Sequence, residues 1–265
     1  MRILVLGDVV GKPGRRAVAD TLPYLVDQHH PDFVVLNGEN AAGGMGLTPE
    51  ITRELLSYGV DCITTGNHVF DKRDIYPTLS EESRLLRPAN YPEGAPGRGL
   101  GIYTTQSGKK VAVISLMGRV FMEPLDSPFQ VGRRLVDQAR AATPIVLVDL
   151  HAEATSEKQA VGWYLDGRVS LVFGTHTHVP TADERVLPAG TAYITDIGMT
   201  GTRDSVLGFR KEVLLGRFLS NMPAKFEVAE GEVVVSGILV EIDEETGKAE
   251  SITRVSESWE PQCRW

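Results

Sequence analysis

Five short apolar runs, each closed by a residue able to hold a metal ion, constrain this chain more than any single motif does. Residues 1–6 lead to Asp8, 33–36 to Glu39 and Asn40, 62–65 to Asn67 and His68, 145–150 to His151, and 169–173 to His176 and His178. Runs of this length read as strands, and in the first half of the chain they alternate with helix-like stretches, the pattern of parallel strands joined by crossover helices. In an open α/β sheet ligands bind outside the carboxyl ends of the strands, so residues placed there converge on one crevice.

The connecting stretches agree. Residues 15–28 carry a helical stripe of Ala17, Val18, Leu22, Leu25 and Val26, and His29 and His30 end that helix in solvent. Thr48 and Pro49 supply an N-cap and a first helical residue for a helix running to about Tyr58. GIYTTQ, SGKK and VAVISL form a hairpin signal with Gly108 in the turn. A helix over about 131–142 precedes the next strand, and short strands follow, including 225–229 and 232–242. The Pro/Gly-rich stretch 88–101 reads as a surface loop and not as a domain boundary. The expected architecture is one domain over residues 1–265, an α/β fold of two packed sheets with helices outside, a four-layer α/β/β/α sandwich.

Composition narrows the function. With 265 residues, 42% hydrophobic and 23% charged, the chain can bury a full core without disulfides or structural zinc. No apolar run approaches the span of a bilayer, so no membrane association is expected. The opening MRILVLGDVVG has one basic residue and no small-residue cleavage site, which makes it a buried strand and not a signal peptide. Cys62 and Cys263 form no disulfide framework, pointing to the cytoplasm. A net charge of −8 disfavours stable binding of duplex nucleic acid and leaves open a small phosphoester or a single-stranded phosphate substrate.

Among the residues at the strand ends, Asp8 and Glu39 are carboxylates, and a carboxylate can bridge two cations. A pair of ions about 3.5–4 Å apart clamps the attacking and leaving oxygens of a phosphoryl displacement. In His176-Thr177-His178 the spacing puts both imidazoles on one face of an extended chain, and Gly174 and Pro180 disfavour a helix. Alone, such a pair is two polar loop residues; with His68 and His151 it makes four of the six histidines lie at strand ends. Gly43, Gly44 and Gly46 form either a loop whose backbone approaches substrate or a plain turn. Arg119 is a candidate for contacting a phosphate or base. A phosphate-binding P-loop at Gly7–Lys12 is excluded, because it is one residue short and Pro13 stands where Ser or Thr is needed. There is no G-x-S-x-G elbow for a serine hydrolase.

Gly7-Asp8, Asn37-Gly38-Glu39-Asn40, Gly66-Asn67-His68, His151 and Gly174-Thr175-His176-Thr177-His178 together resemble the calcineurin-like metallophosphoesterases, whose motifs stand in this order at strand ends. Two departures, Val10 in place of the first-motif histidine and Glu39 in place of the bridging aspartate, together with NGENAAGG, DLHAEATSEK and DIGMTG, look like the YmdB branch of that superfamily, whose members are described as 2′,3′-cyclic nucleotide phosphodiesterases. The resemblance implies one metal held by Asp8, Glu39, Asn40 and His178 and a second by Glu39, Asn67, His151 and His176, with Glu39 as bridge. Asn40 supplies an amide oxygen where imidazole is missing, which favours iron or manganese over a nitrogen-rich zinc site, with zinc and magnesium left open as alternatives. It also implies attack by a metal-bridged hydroxide on a cyclic nucleotide, with His68 as the general acid, and a homo-oligomer. Phosphomonoester hydrolysis and a non-catalytic metal- and nucleotide-sensing role are the alternatives.

Overall fold

The first apolar run forms β1 (Arg2–Leu6), whose side chains alternate between two different cores. Ile3 and Val5 point one way and Leu4 and Leu6 the other, the period of a strand with no solvated face. The computed structural model describes residues 1–261. After β1 come β2 (Asp8–Val9), α1 (Gly11–His29), β3 (Phe33–Asn37), α2 (Pro49–Ser57), β4 (Cys62–Thr64) and α3 (Ile75–Glu81). The middle of the chain forms β5 (Leu100–Thr104), β6 (Lys110–Met117), α4 (Pro128–Arg140), β7 (Val146–His151), α5 (Thr155–Leu165), β8 (Leu171–Thr175), β9 (Arg185–Val186) and β10 (Ala192–Ile194). The last part supplies β11 (Met199–Thr202), α6 (Lys211–Ser220), β12 (Val233–Ile242) and β13 (Ala249–Trp259).

Seven strands make the first sheet, in the order β2-β11-β12-β1-β3-β4 with β13 paired to β12, and six make the second, β5-β6-β7-β8-β10-β9. Leu4, Leu6, Val34 and Leu36 pack under Val18, Leu22 and Leu25 of α1 and Leu55 of α2. Ile3, Val5, Phe33 and Val35 meet Val113, Leu147, Leu171 and Phe173 between the sheets. Ile114, Val146 and Val148 pack against Val136 of α4 and Val161 of α5. These are the four layers expected from the sequence. At about 1.5–3 kcal/mol for each buried aliphatic side chain, three such cores hold the strand ends firmly enough to present polar groups that packing alone would expel.

The helix at Pro49 forms as expected, the Thr48 hydroxyl accepting the Ile51 N–H at 3.3 Å, and the hairpin closes through β5 and β6. One expected strand does not form, and two features go beyond what the sequence suggested. Residues 225–229 form no strand and make a single bridge, Val228 to Phe209, whereas β13, the longest strand, was not anticipated. Its sequence AESITRVSESW is mostly polar because it pairs along β12 with its side chains largely in solvent. The stretch 88–101 is not a plain surface loop. Buried Arg87 donates to the carbonyls of Pro88, Ala95 and Pro96, and fully buried Asn90 donates to the carbonyls of Met117 and Asp126 and accepts the Met117 N–H, tying the loop to the carboxyl end of β6.

Cys62 is buried and unpaired, its thiol pushed up to about 12 by burial; Cys263 lies outside the described residues. Among the described residues no helix is long and apolar enough to cross a membrane.

Candidate metal centre

The carboxyl ends of strands from both sheets meet at one place. Asp8 lies in β2, Glu39 and Asn40 follow β3, Asn67 and His68 follow β4, His151 ends β7, and His176 and His178 follow β8. Asp8, Glu39, Asn40, His151 and His178 are buried, and Asn67, His68 and His176 are half-buried. Around His151 Nε2 stand Glu39 Oε1 at 2.9 Å, Asn67 Oδ1 at 2.9 Å and His176 Nδ1 at 3.0 Å. Asp8 Oδ1 lies 3.9 Å from His151 Nδ1.

The supporting hydrogen bonds fix which atoms carry lone pairs. Thr175 Oγ1 donates to Asp149 Oδ1 at 2.7 Å, so it accepts at 2.9 Å from His151 Nδ1–H, leaving the lone pair of the neutral ring at Nε2. A proton on that nitrogen could bridge only one of its three neighbours. His178 Nδ1–H donates to the Leu207 carbonyl at 3.0 Å, and the amide of Asn40 donates to the Gly44 carbonyl at 2.8 Å. His178 Nε2 and Asn40 Oδ1, both acceptors, therefore face each other at 3.1 Å. Asp8 Oδ2 accepts the His176 N–H at 3.2 Å, whereas its Oδ1 is buried with no hydrogen-bond partner.

Protonation divides the cluster, two rings and one carboxylate held free of protons and two groups pushed toward holding one. Burial lowers the pKa of His178 and takes that of His176 down to about 3, so both rings are neutral donors. Burial acts to raise Glu39, but His151 above all, with His68 and His176, overrides it and pulls the carboxylate to about 2. Burial, with Asp196, Glu39 and Asp149 nearby, raises Asp8 well above the usual range despite His151. For His151 burial disfavours the imidazolium, and the carboxylates of Glu39, Asp8 and Asp149 outweigh it, raising the pKa. Facing acceptors and crowded carboxylates such as these are relieved by cations, which displace the residual protons.

There is also room of the right kind. A Cβ on Gly66 would sit 2.2 Å from His151 Nε2 and 2.3 Å from Glu39 Oε2, so glycine is what keeps the space between these donors open. Hard oxygens from Asp8, Glu39, Asn40 and Asn67, with imidazole nitrogens, suit divalent metal ions.

His176 and His178 are not in extended chain, as their spacing suggested; their φ angles are 92° and 64°, and their rings diverge toward His151 and Asn40. Left-handed backbone at two non-glycine residues persists only where the surroundings over-determine it. Here Asp196 does so: its Oδ2 accepts from the Thr177 N–H and hydroxyl at 3.3 and 2.6 Å and from Lys158 Nζ at 2.7 Å, and its Oδ1 accepts the Gly198 N–H. Sequence reading missed Asp149, Lys158 and Asp196. Asp149 had a signal, a carboxylate inside the apolar run before His151.

His68 Nδ1 stands 2.8 Å from Asp71 Oδ2, and its N–H donates to Glu39 Oε2 at 3.3 Å. Asp71, three residues further on, was also missed. Gly43 and Gly44 are not among the clustered donors. Gly43 lines a separate cleft with Lys12 and Arg16, and Gly44 holds Asn40 through its carbonyl while packing on Phe209. The Arg119 side chain is exposed, on the loop that follows β6.

A profile of the family described as YmdB-like protein matches residues 4–255. The chain is 52% identical over 255 residues to the 2′,3′-cyclic-nucleotide 2′-phosphodiesterase of Bacillus subtilis (strain 168), covering 96% of each chain. A crystal structure of a hypothetical protein from Thermus thermophilus superposes with a TM-score of 0.91 at 44% identity, over 98% of this chain and 100% of that one. A crystal structure of a novel phosphatase from Mycoplasma pneumoniae does so with a TM-score of 0.90 at 33% identity, over 99% and 95%.

Proposed function

The chain belongs to the YmdB-like family, and from that premise we propose that it is a binuclear metal-dependent phosphodiesterase acting on 2′,3′-cyclic nucleotides. The observation that carries the reading is the set of lone-pair atoms turned toward one another around His151 Nε2 and between Asn40 and His178, beside the orphaned Asp8 Oδ1. The name of the Bacillus relative supports the substrate.

Asp8, Glu39, Asn40 and His178 would hold one cation and Glu39, Asn67, His151 and His176 the other, with iron or manganese as the ions. When bound, the ions supply Lewis-acid charge for the phosphoryl oxygens and a nucleophile drawn from water. Glu39, its carboxylate pKa held at about 2, would be the anion shared between them. Asp71 accepts from His68 Nδ1–H and so orients the ring, leaving Nε2 to deliver a proton to the ribose oxygen released when the cyclic diester opens. The chain works as a homo-oligomer in the cytoplasm in this reading. Leu215, Phe218, Leu219 and Met222, 54–87% exposed on and just after α6, offer apolar surface for such contacts.

The test is metal content of protein purified without chelator, alongside hydrolysis of 2′,3′-cyclic AMP and bis-p-nitrophenyl phosphate. About two ions per chain are expected, with metal and activity both lost in Glu39→Ala. Protein that stays inactive after reconstitution with iron, manganese or zinc refutes the enzyme. His68→Ala is expected to lower kcat about 10²–10⁴-fold with metal content retained. That result also separates an enzyme from a sensor, and loss of the metal along with the activity would remove His68 from the acid role.

A further inference from the structure

Beside the donor cluster opens a cleft of about 380 Å³ lined by Asn67, His176, Phe121, Met122 and Glu123. Two of these residues belong to the candidate centre, and the third is the most exposed large apolar side chain in the described structure: Phe121 is 90% exposed. Its backbone is as unusual as its exposure. The Met122 N–H donates to the Arg119 carbonyl at 3.3 Å, closing a turn in which Phe121 takes φ 61°, a position where glycine is the ordinary residue. A bulky side chain there stores strain, and strain of this kind collects at ligand clamps.

The turn is held rigidly to the centre. The buried carboxylate of Glu157 accepts the N–H groups of Arg119 and Val120 at 3.0 and 3.2 Å, and the Gly118 N–H donates to the carbonyl of His151 at 2.9 Å. A Cβ on Gly118 would meet Glu157 Oε2 at 2.5 Å and Ala152 Cβ at 2.6 Å, so the loop approaches α5 as closely as a backbone can. An aromatic ring with almost none of its surface packed, carried on a turn fixed by buried hydrogen bonds and lining the same cleft as Asn67 and His176, is a platform for a flat apolar ligand.

We propose that Phe121 stacks on the nucleobase of a nucleotide whose phosphodiester lies against Asn67 and His176, making it a specificity-determining residue; the inference rests on the phosphodiesterase reading for the identity of that ligand. Base–aromatic stacking is tolerant of sequence because every base has a π-face, so the subsite takes purine and pyrimidine nucleotides alike.

The protein as purified is assayed with 2′,3′-cyclic AMP and with glycerol 1,2-cyclic phosphate, which has the same five-membered diester and no base. In Phe121→Ala the ratio of kcat/KM for the first over the second is expected to fall about fivefold or more, and Phe121→Tyr is expected to restore it. In parallel, calorimetry measures binding of adenosine 3′-phosphate and glycerol phosphate, and the preference for the nucleotide is expected to shrink in Phe121→Ala alone. An unchanged ratio, or a fall that tyrosine does not reverse, overturns the role of Phe121. Wild-type protein that cleaves neither diester refutes the phosphodiesterase reading, and the binding arm then decides on Phe121 by itself. Wild-type protein that binds both ligands equally overturns the base subsite.

Discussion

Gly66→Ala is expected to empty the proposed metal centre and to reduce diester hydrolysis about a hundredfold, the upper end of what loss of a residue supporting a ligand causes. The reason is steric. The added methyl would lie 2.2 Å from His151 Cδ2 and Nε2 and 2.3 Å from Glu39 Oε2, and neither neighbour is the loose end of a flexible side chain. His151 is fixed through Thr175 to Asp149, and Glu39 is fixed by the N–H group of His68 and, through its own backbone, by Asn37. In an unstrained open position the same substitution stabilises a protein by about 0.4–1 kcal/mol through the unfolded chain. Loss of metal with the fold retained by circular dichroism is therefore the signature of a filled cradle. Wild-type metal content in this variant would show that the space Gly66 keeps open is not where the ions sit.

Lys158→Met is expected to produce the largest fall in stability. Lys158 is 1% exposed and Asp196 is fully buried, with Nζ and Oδ2 2.7 Å apart. Removing one partner of such a pair leaves an uncompensated buried charge and costs about 3–5 kcal/mol. For a chain of this size that corresponds to a Tm lower by about 6–20 °C. The double variant Lys158→Met with Asp196→Asn removes the stranded charge and is expected to recover part of the loss. Metal retention should fall as well, since Asp196 holds Thr177 between the two left-handed histidines. A Tm within about 2 °C of wild type by calorimetry would show the pair to be dispensable.

The convergence of the seven proposed ligands, with His68, was legible in the sequence because strand ends are set by topology: Asp, Glu, Asn or His just past an apolar run falls at the rim of a sheet, whereas which of them would hold metal came from the family resemblance. What supports them was not legible. Asp149, Thr175, Asp196 and Lys158 come from β7, β8, the segment after β10 and α5, and only the pairing of β8 with both β7 and β10 brings them side by side. His176 and His178 were correctly kept out of a helix, but the φ angles that turn their rings apart were not legible, since they are imposed by Asp196, 18 residues beyond the nearer of the two. The strand β13 escaped because its solvated face carries Glu, Ser, Thr and Arg and the alternation of its few buried residues is weak.

The short strand β2 has a consequence for how the protein comes into being. Asp8 is made some 190 residues before β11, yet β2 pairs with that strand, and the Asp8 N–H donates to the carbonyl of Gly198. The donor cluster draws on both sheets, and its earliest member is not seated until some 190 further residues have been made. A nascent chain thus has no finished cluster, and selection of the proposed ions would fall to the completed fold, whose rigid donors can discriminate by geometry as an unfolded ligand set cannot.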